Sequence, residues 1–354
     1  MRVLMPGCLL AVALVVSAYA ADTVDPSSPR YAAPAIAGAP LGEKGRWVEI
    51  SDKLLSSLEA AGNKIGYPGK VTGITVDPAN GNVYMVVPDQ GVFLSTDHAA
   101  TFARADGKAI SGRCETGGTL QVDPAGGRIA CFMLDGTAGM TLDGGKTWSG
   151  FTGVGRGWDY ASVDWSAEKP SIILAMRHES NGELYLTADA GKTWKKIAKD
   201  AKYNAVGVFD TKTFIACKST GGIFRSTDTG ATWAQVSDLT VTSHVPTIYK
   251  GTAYLISKDG LIASADQGIT WTKRGAALDA TFGPVFKDEK QMIVWGKKGI
   301  YESTDAGATW SLILTPPAEY GKSNPEWFNN VGWDSKADIF YVAHMGLPAY
   351  RWQR

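Results

Sequence analysis

The sequence predicts an all-β fold, a seven-bladed β-propeller of four-stranded antiparallel blades, on three observations. A turn motif, S/T-x-D-x-G-x-T-W, recurs six times, its spacing is that of a four-stranded repeat, and a strand near the start supplies what the last repeat lacks. The motif reads Ser95 to Phe102 in a worn first copy, then Thr141 to Trp148, Thr187 to Trp194, Ser226 to Trp233, Ser264 to Trp271 and Ser303 to Trp310. Its aspartates, Asp97, Asp143, Asp189, Asp228, Asp266 and Asp305, are separated by 46, 46, 39, 38 and 39 residues.

In chain order, Met1-Arg2, the apolar Val3 to Val16 and the small-residue site Ala18-Tyr19-Ala20 have the layout of a secretory signal peptide over residues 1–20. The apolar run is broken by Pro6-Gly7 and is too short to cross a bilayer, so the chain reads as secreted or periplasmic with no membrane span. Residues 21–45 carry Pro26, Pro29, Pro34 and Pro40 among Ala, Ser and Gly, the composition of a flexible linker or loose tail. The propeller is expected over residues 46–354. It begins with the strand Arg46 to Ile50. A short amphipathic helix then follows over Ser51 to Gly62, with Leu54, Leu55 and Leu58 at helical spacing, Ser51 as cap and Gly62 as stop.

Each motif copy joins two β-rich runs, such as Gly222 to Arg225 and Ala234 to Val236, and so is a hairpin turn. The Asp accepts from backbone N–H groups of its own turn, the Gly takes positive φ without steric cost, and the Trp wedges between neighbouring sheets. In the first copy Ala99 and Phe102 stand for Gly and Trp, which predicts a distorted turn and a smaller wedge. After the sixth copy, Val331 to Asp334, Ile339 to His344 and Ala349 to Trp352 read as three strands without a motif. Arg46 to Ile50 provides their fourth and closes the ring, which leaves no open edge to template aggregation.

Lys+Arg and Asp+Glu balance at 35 each, so there is no basic field to drive nucleic-acid binding. Without Cys8 of the signal, Cys114, Cys131 and Cys217 remain, and one bridge is possible, with Cys114 and Cys131 the nearer pair. No CxxC pair or His/Cys cluster suggests a metal, and nothing calls for a cofactor.

With five near-complete copies in register, residues 46 to 354 resemble the Asp-box, or BNR-repeat, propellers, a group with sialidases, xyloglucan-degrading hydrolases, sortilin-type receptors and photosystem assembly factors. The resemblance implies that the motif lies on the face opposite the ligand site. The six aspartates, together with Trp148, Trp194, Trp233, Trp271 and Trp310, are then structural. Ligand contacts fall to the upper loops, those between the second and third strands and those between blades. The early arginine strand of sialidases has no counterpart in Tyr31-Ala32-Ala33-Pro34.

The upper loops carry the candidate site residues. Arg113, Arg156 and Arg177 come from loops of adjacent blades, where their planar forks suit a carboxylate or sulfate. Glu115, Asp159 and Glu179 are alternative ion-pair partners for them. Trp158, Tyr160, Tyr203 and Trp327 offer flat surfaces to a sugar ring, and His244 and His344 complete the expected binding set. For hydrolysis, Asp159 and Glu179 form the candidate carboxylate pair. For elimination from a uronate, Arg177 would neutralise the carboxylate and His178 or Tyr160 would act as base. The expected function is an exported propeller that binds a carbohydrate or small acidic ligand at the channel mouth, with sialidase-like hydrolysis as its possible chemistry. A non-catalytic scaffold or assembly factor recognising another exported protein, and a polysaccharide lyase, are the alternatives.

Overall fold

The computed structural model describes residues 35–42, 44–115, 117–153, 157–199, 201–320 and 329–354. Two short strands, β1 (Ile36–Ala37) and β2 (Trp47–Glu49), and the helix α1 (Asp52–Ala60) precede the blades. Blade one is β3 (Gly73–Val76), β4 (Val83–Val87), β5 (Gly91–Ser95) and β6 (Thr101–Arg104). Blade two is β7 (Leu120–Val122), β8 (Ile129–Cys131), β9 (Gly139–Thr141) and β10 (Ser149–Gly150). Blade three is β11 (Trp158–Val163), β12 (Ile173–Arg177), β13 (Leu184–Thr187) and β14 (Lys195–Ala198). Blade four is β15 (Tyr203–Val208), β16 (Phe214–Lys218), β17 (Ile223–Ser226) and β18 (Ala234–Ser237). Blade five is β19 (Thr247–Tyr249), β20 (Thr252–Ser257), β21 (Gly260–Ser264) and β22 (Thr272–Lys273). Blade six is β23 (Ala280–Phe286), β24 (Met292–Gly296), β25 (Gly299–Ser303) and β26 (Ser311–Leu314). Blade seven is β27 (Asn329–Asp334), β28 (Ile339–His344) and β29 (Tyr350–Gln353), completed by β2. The fold is the all-β, seven-bladed propeller of antiparallel blades that the repeat spacing predicts.

The second strands are buried on both faces and accordingly read as unbroken apolar runs. Their period of two divides each run between two gaps. Val83, Met85 and Val87 face blade seven, whereas Tyr84 and Val86 face blade two. The same division around the ring gives seven apolar clusters, each between two neighbouring blades. Each motif aromatic enters the gap before its own blade: Phe102, Trp148, Trp194, Trp233, Trp271 and Trp310 in turn.

The motif's hydrogen bonds repeat closely. In the fourth copy Ser226 Oγ donates to Asp228 Oδ1 at 2.8 Å and accepts from Gly230 N at 2.9 Å, while Thr232 donates from N and Oγ1 to the same carboxylate at 2.9 and 2.6 Å. The first copy keeps this network, with Ala99 N to Ser95 Oγ at 2.8 Å and Thr101 N to Asp97 Oδ1 at 2.9 Å. The expected distortion is therefore absent. Ala99 adopts the left-handed conformation instead, at φ 67°, and is fully buried beneath β1. A second set of aspartates, less legible because its surroundings vary, caps the turn after the first strand. Asp77, Asp123, Asp164, Asp210, Asp288 and Asp334 each accept from the N–H two residues on, and blade five has Lys250-Gly251 in that place.

The ring closes as expected, with Trp47 opposite Trp352, Val48 opposite Arg351 and Glu49 opposite Tyr350. The segment before β2, expected as loose tail, does more in its described part. Ile36 and Ala37 pair with Phe102 and Thr101, which makes β1 a fifth strand on blade one. Arg351, 2 % exposed, donates to the carbonyls of Ala39, Pro40 and His98 and so ties blade seven to blade one. Leu54, Leu55 and Leu58 of α1 are buried in the cluster at this seam. Ser51 occupies the N-cap position but its hydroxyl does not cap. It accepts from Ala349 N at 3.1 Å, because closing the ring brings that N–H within reach. Cys114, Cys131 and Cys217 are buried and free, so the possible bridge between Cys114 and Cys131 is not formed. No helix among the described residues is long and apolar enough to cross a membrane.

Candidate functional site

Strand direction alternates within each blade, so the turns after the first and third strands lie below and those after the second and fourth lie above. The motif occupies the underside. A cavity of about 820 Å³ runs along the axis, lined by the first strands of all seven blades with Val76, Leu120, Val163, Val208, Val285 and Val331. Of the expected site residues only His244 lines it among the described residues.

The polar centre lies above, over blades two and three. Asp159 is the extra residue of a β-bulge, since Trp158 faces Arg177 and Tyr160 faces Met176, so the register shifts by one at Asp159. A bulge bends the strand and re-aims the side chain. Here the carboxylate meets His178, which follows β12, at 2.5 Å from Oδ1 to Nδ1. Glu115, from the loop into blade two, brings Oε2 to 4.0 Å from the same nitrogen. The metal-ligating atoms of Glu115, Asp159 and His178 all lie within 4.8 Å of one another. Glu115 Oε2 is buried and accepts no hydrogen bond from the described residues, with Arg113 Nη2 3.9 Å away.

Electrostatics follows from this crowding. Burial raises the Glu115 pKa, against the lowering influence of His178 and Arg113. Burial also raises Asp159 by more than the His178 hydrogen bond lowers it. At His178 burial acts downward, but the hydrogen bond and charge of Asp159 outweigh it and the imidazole is raised. One ring nitrogen thus stands between two carboxylates that each resist ionisation, bonded to Asp159 and 4.0 Å from Glu115.

The other expected residues are placed differently. Arg113 pairs with Asp135 and stacks over Tyr67 at 5.0 Å, whereas Arg177 leans on the Tyr185 ring at 5.9 Å, so these two do not converge on a common point. Arg156 and Trp327 lie outside the described residues. The sugar-stacking role of three aromatics is corrected by their burial between blades. Trp158 packs against Trp194 at 4.6 Å, Tyr160 against His244 at 4.5 Å, and Tyr203 against Trp233 at 5.7 Å. His244 gives Nδ1 to the Asn204 carbonyl and burial lowers its pKa, while His344 is held by the Met345 carbonyl. Glu179 is 84 % exposed and 3.7 Å from His178 Nε2, so the carboxylate that faces Asp159 is Glu115 rather than Glu179. Among the described residues the exposed aromatic above is Tyr67, at 70 %. Its sequence signal was its position in an upper loop, and only the fold shows that no sheet covers it.

No family model matches the chain. Over 155 residues, 40 % of this chain and 18 % of the relative, it is 24 % identical to a xyloglucanase of Hypocrea jecorina (strain QM6a). An ancestral GH74 enzyme superposes with a TM-score of 0.50 at 13 % identity, covering 80 % of this chain and 48 % of that one. YCF48 from Cyanidioschyzon merolae superposes with a TM-score of 0.48 at 14 % identity, covering 80 % of this chain and 95 % of that chain. The chain therefore spans under a fifth of the xyloglucanase and about half of the GH74 enzyme.

Proposed function

We propose that this protein is an exported carbohydrate-binding propeller that engages a glycan on the upper face of blades two and three. The observation that carries the reading is the convergence of Glu115, Asp159 and His178 within 4.8 Å. Sugar hydroxyls both donate and accept, so they suit a site where carboxylates outnumber donors. Among the described residues, Glu115, Asp135, Asp159 and Glu179 stand against Arg113, Arg177 and His178, a balance that favours a neutral glycan over an acidic one. Tyr67, braced by the Arg113 guanidinium, offers the exposed ring on which a pyranose stacks. The stretch similar to a xyloglucanase supports a β-glucan as the first ligand to try.

A second reading, hydrolysis, is favoured by the closeness of the carboxylates. Pairs about 5–5.5 Å apart act with retention of configuration, and Glu115 and Asp159 lie at that end of the range. Glu115, whose buried oxygen has no hydrogen bond from the described residues, would be the proton donor, and Asp159, bonded to His178, the nucleophile. Retention on immobilised polysaccharides, with reducing ends assayed in parallel, tests both. Tyr67→Ala and Asp159→Asn should each weaken retention by about tenfold, the loss of one stacking or charged contact. Retention unchanged in both variants, or on no polysaccharide at all, would remove the reading. Reducing ends released by the wild type but not by Glu115→Gln would establish turnover.

A further inference from the structure

The geometry points to a divalent transition-metal site, Zn²⁺ or Mn²⁺, formed by Glu115, Asp159 and His178 on the upper face. The inference deepens the glycan reading by supplying an ion that sugar hydroxyls can join. The three side chains come from two upper loops and a bulge, and each offers one ligand atom to a common point. Two carboxylate oxygens and one imidazole nitrogen form a donor set suited to Zn²⁺ and Mn²⁺, whereas an all-oxygen set would suit Ca²⁺.

Two observations suit a cation at this point. Glu115 Oε2 is buried without a hydrogen bond from the described residues and points at His178 Nδ1, 4.0 Å away, a nitrogen already engaged by Asp159 at 2.5 Å. A single proton on Nδ1 cannot bond to both oxygens, but one ion can. Among the described residues the neighbouring cation is Arg113, which is bonded to Asp135 and lies over the Tyr67 ring, leaving its Nη2 3.9 Å from Glu115 Oε2, beyond hydrogen-bond distance. To ligate, the shorter nitrogen–oxygen distance opens and the longer one closes, both by small side-chain rotations, because ligands about 2.1 Å from an ion lie roughly 3 Å from one another. An ion bound at Nδ1 displaces the proton that this nitrogen gives to Asp159, so binding is accompanied by proton release.

Calorimetric titration of the metal-free protein with ZnCl₂, in two buffers of different ionisation enthalpy, tests this directly. One site with proton release is expected, weakened at least about tenfold in Asp159→Asn and in Glu115→Gln. His98→Gln removes another histidine–carboxylate contact, the 3.2 Å pair with Asp334, and should leave the titration unchanged. Circular dichroism of each variant reports whether it is folded. Absence of saturable heat, or binding equal in wild type and both folded carboxylate variants, overturns the site. Glycan retention that persists in EDTA overturns the metal's part in recognition and leaves the glycan reading standing. A stoichiometric ion with no retention on any glycan does the reverse.

Discussion

At the scale of single residues, the position with the most consequence is His178. Its raised pKa means that the folded chain holds the imidazolium proton more tightly than the unfolded chain does. That contribution is fully present below the ordinary value of 6.5 and is lost as the pH rises through the native value. Denaturant midpoints of the wild type and His178→Gln should therefore differ most on the acid side of 6.5 and converge above it. A gap that widens with pH would show that the imidazole is neutral in the fold. Arginine, aspartate and histidine were visible in the sequence as upper-loop residues, but not which of them meet. The bulge at Asp159 turns that side chain to His178, and nothing in Trp158-Asp159-Tyr160 signals a shift of register. Glu115 read as a partner for arginine because sequence order conceals how close blade two's loop comes to blade three.

At the scale of elements, the turn motif was the most legible part, because its bonds are local and each copy satisfies them alone. Its side-chain and backbone donors, led by the Thr232 hydroxyl at Asp228, hold Asp228, Asp266 and Asp305 at about 2. Stability from these turns is present above the ordinary 3.8 and lost as the pH falls through about 2, and Asp228→Asn should flatten the acid limb of a stability–pH curve. An unaltered acid limb would show that the turn forms equally well around a neutral side chain. The wedges are less uniform than their spelling. Trp148 is fully buried, whereas Trp310 is only partly so. Trp148→Ala should cost about 3–5 kcal/mol in urea unfolding and Trp310→Ala distinctly less. Equal costs would place the wedge energy elsewhere than in burial. The persistence of the first turn around Ala99 has a tertiary cause, since Gly38 and Ala39 donate to the Ala100 and Ala99 carbonyls from outside it. No window around residue 99 contains that information.

At the scale of the whole molecule, seven inter-blade clusters mean that every sheet is stabilised by its two neighbours, so the ring depends on its seam. Removing residues 35–50 would leave blade seven with three strands and uncover the edge of β29. The expected product is a self-associating species by light scattering. A monomer with the original melting temperature would mean that the remaining blades close without it. The seam also sets an order of events during synthesis. Ala39 and Arg351 meet across 312 residues of chain, so blades one to six can assemble as they leave the ribosome while β2 waits for β29, not yet translated. Until that partner is made the protein is an arc with two unsatisfied ends, and premature termination leaves it as one.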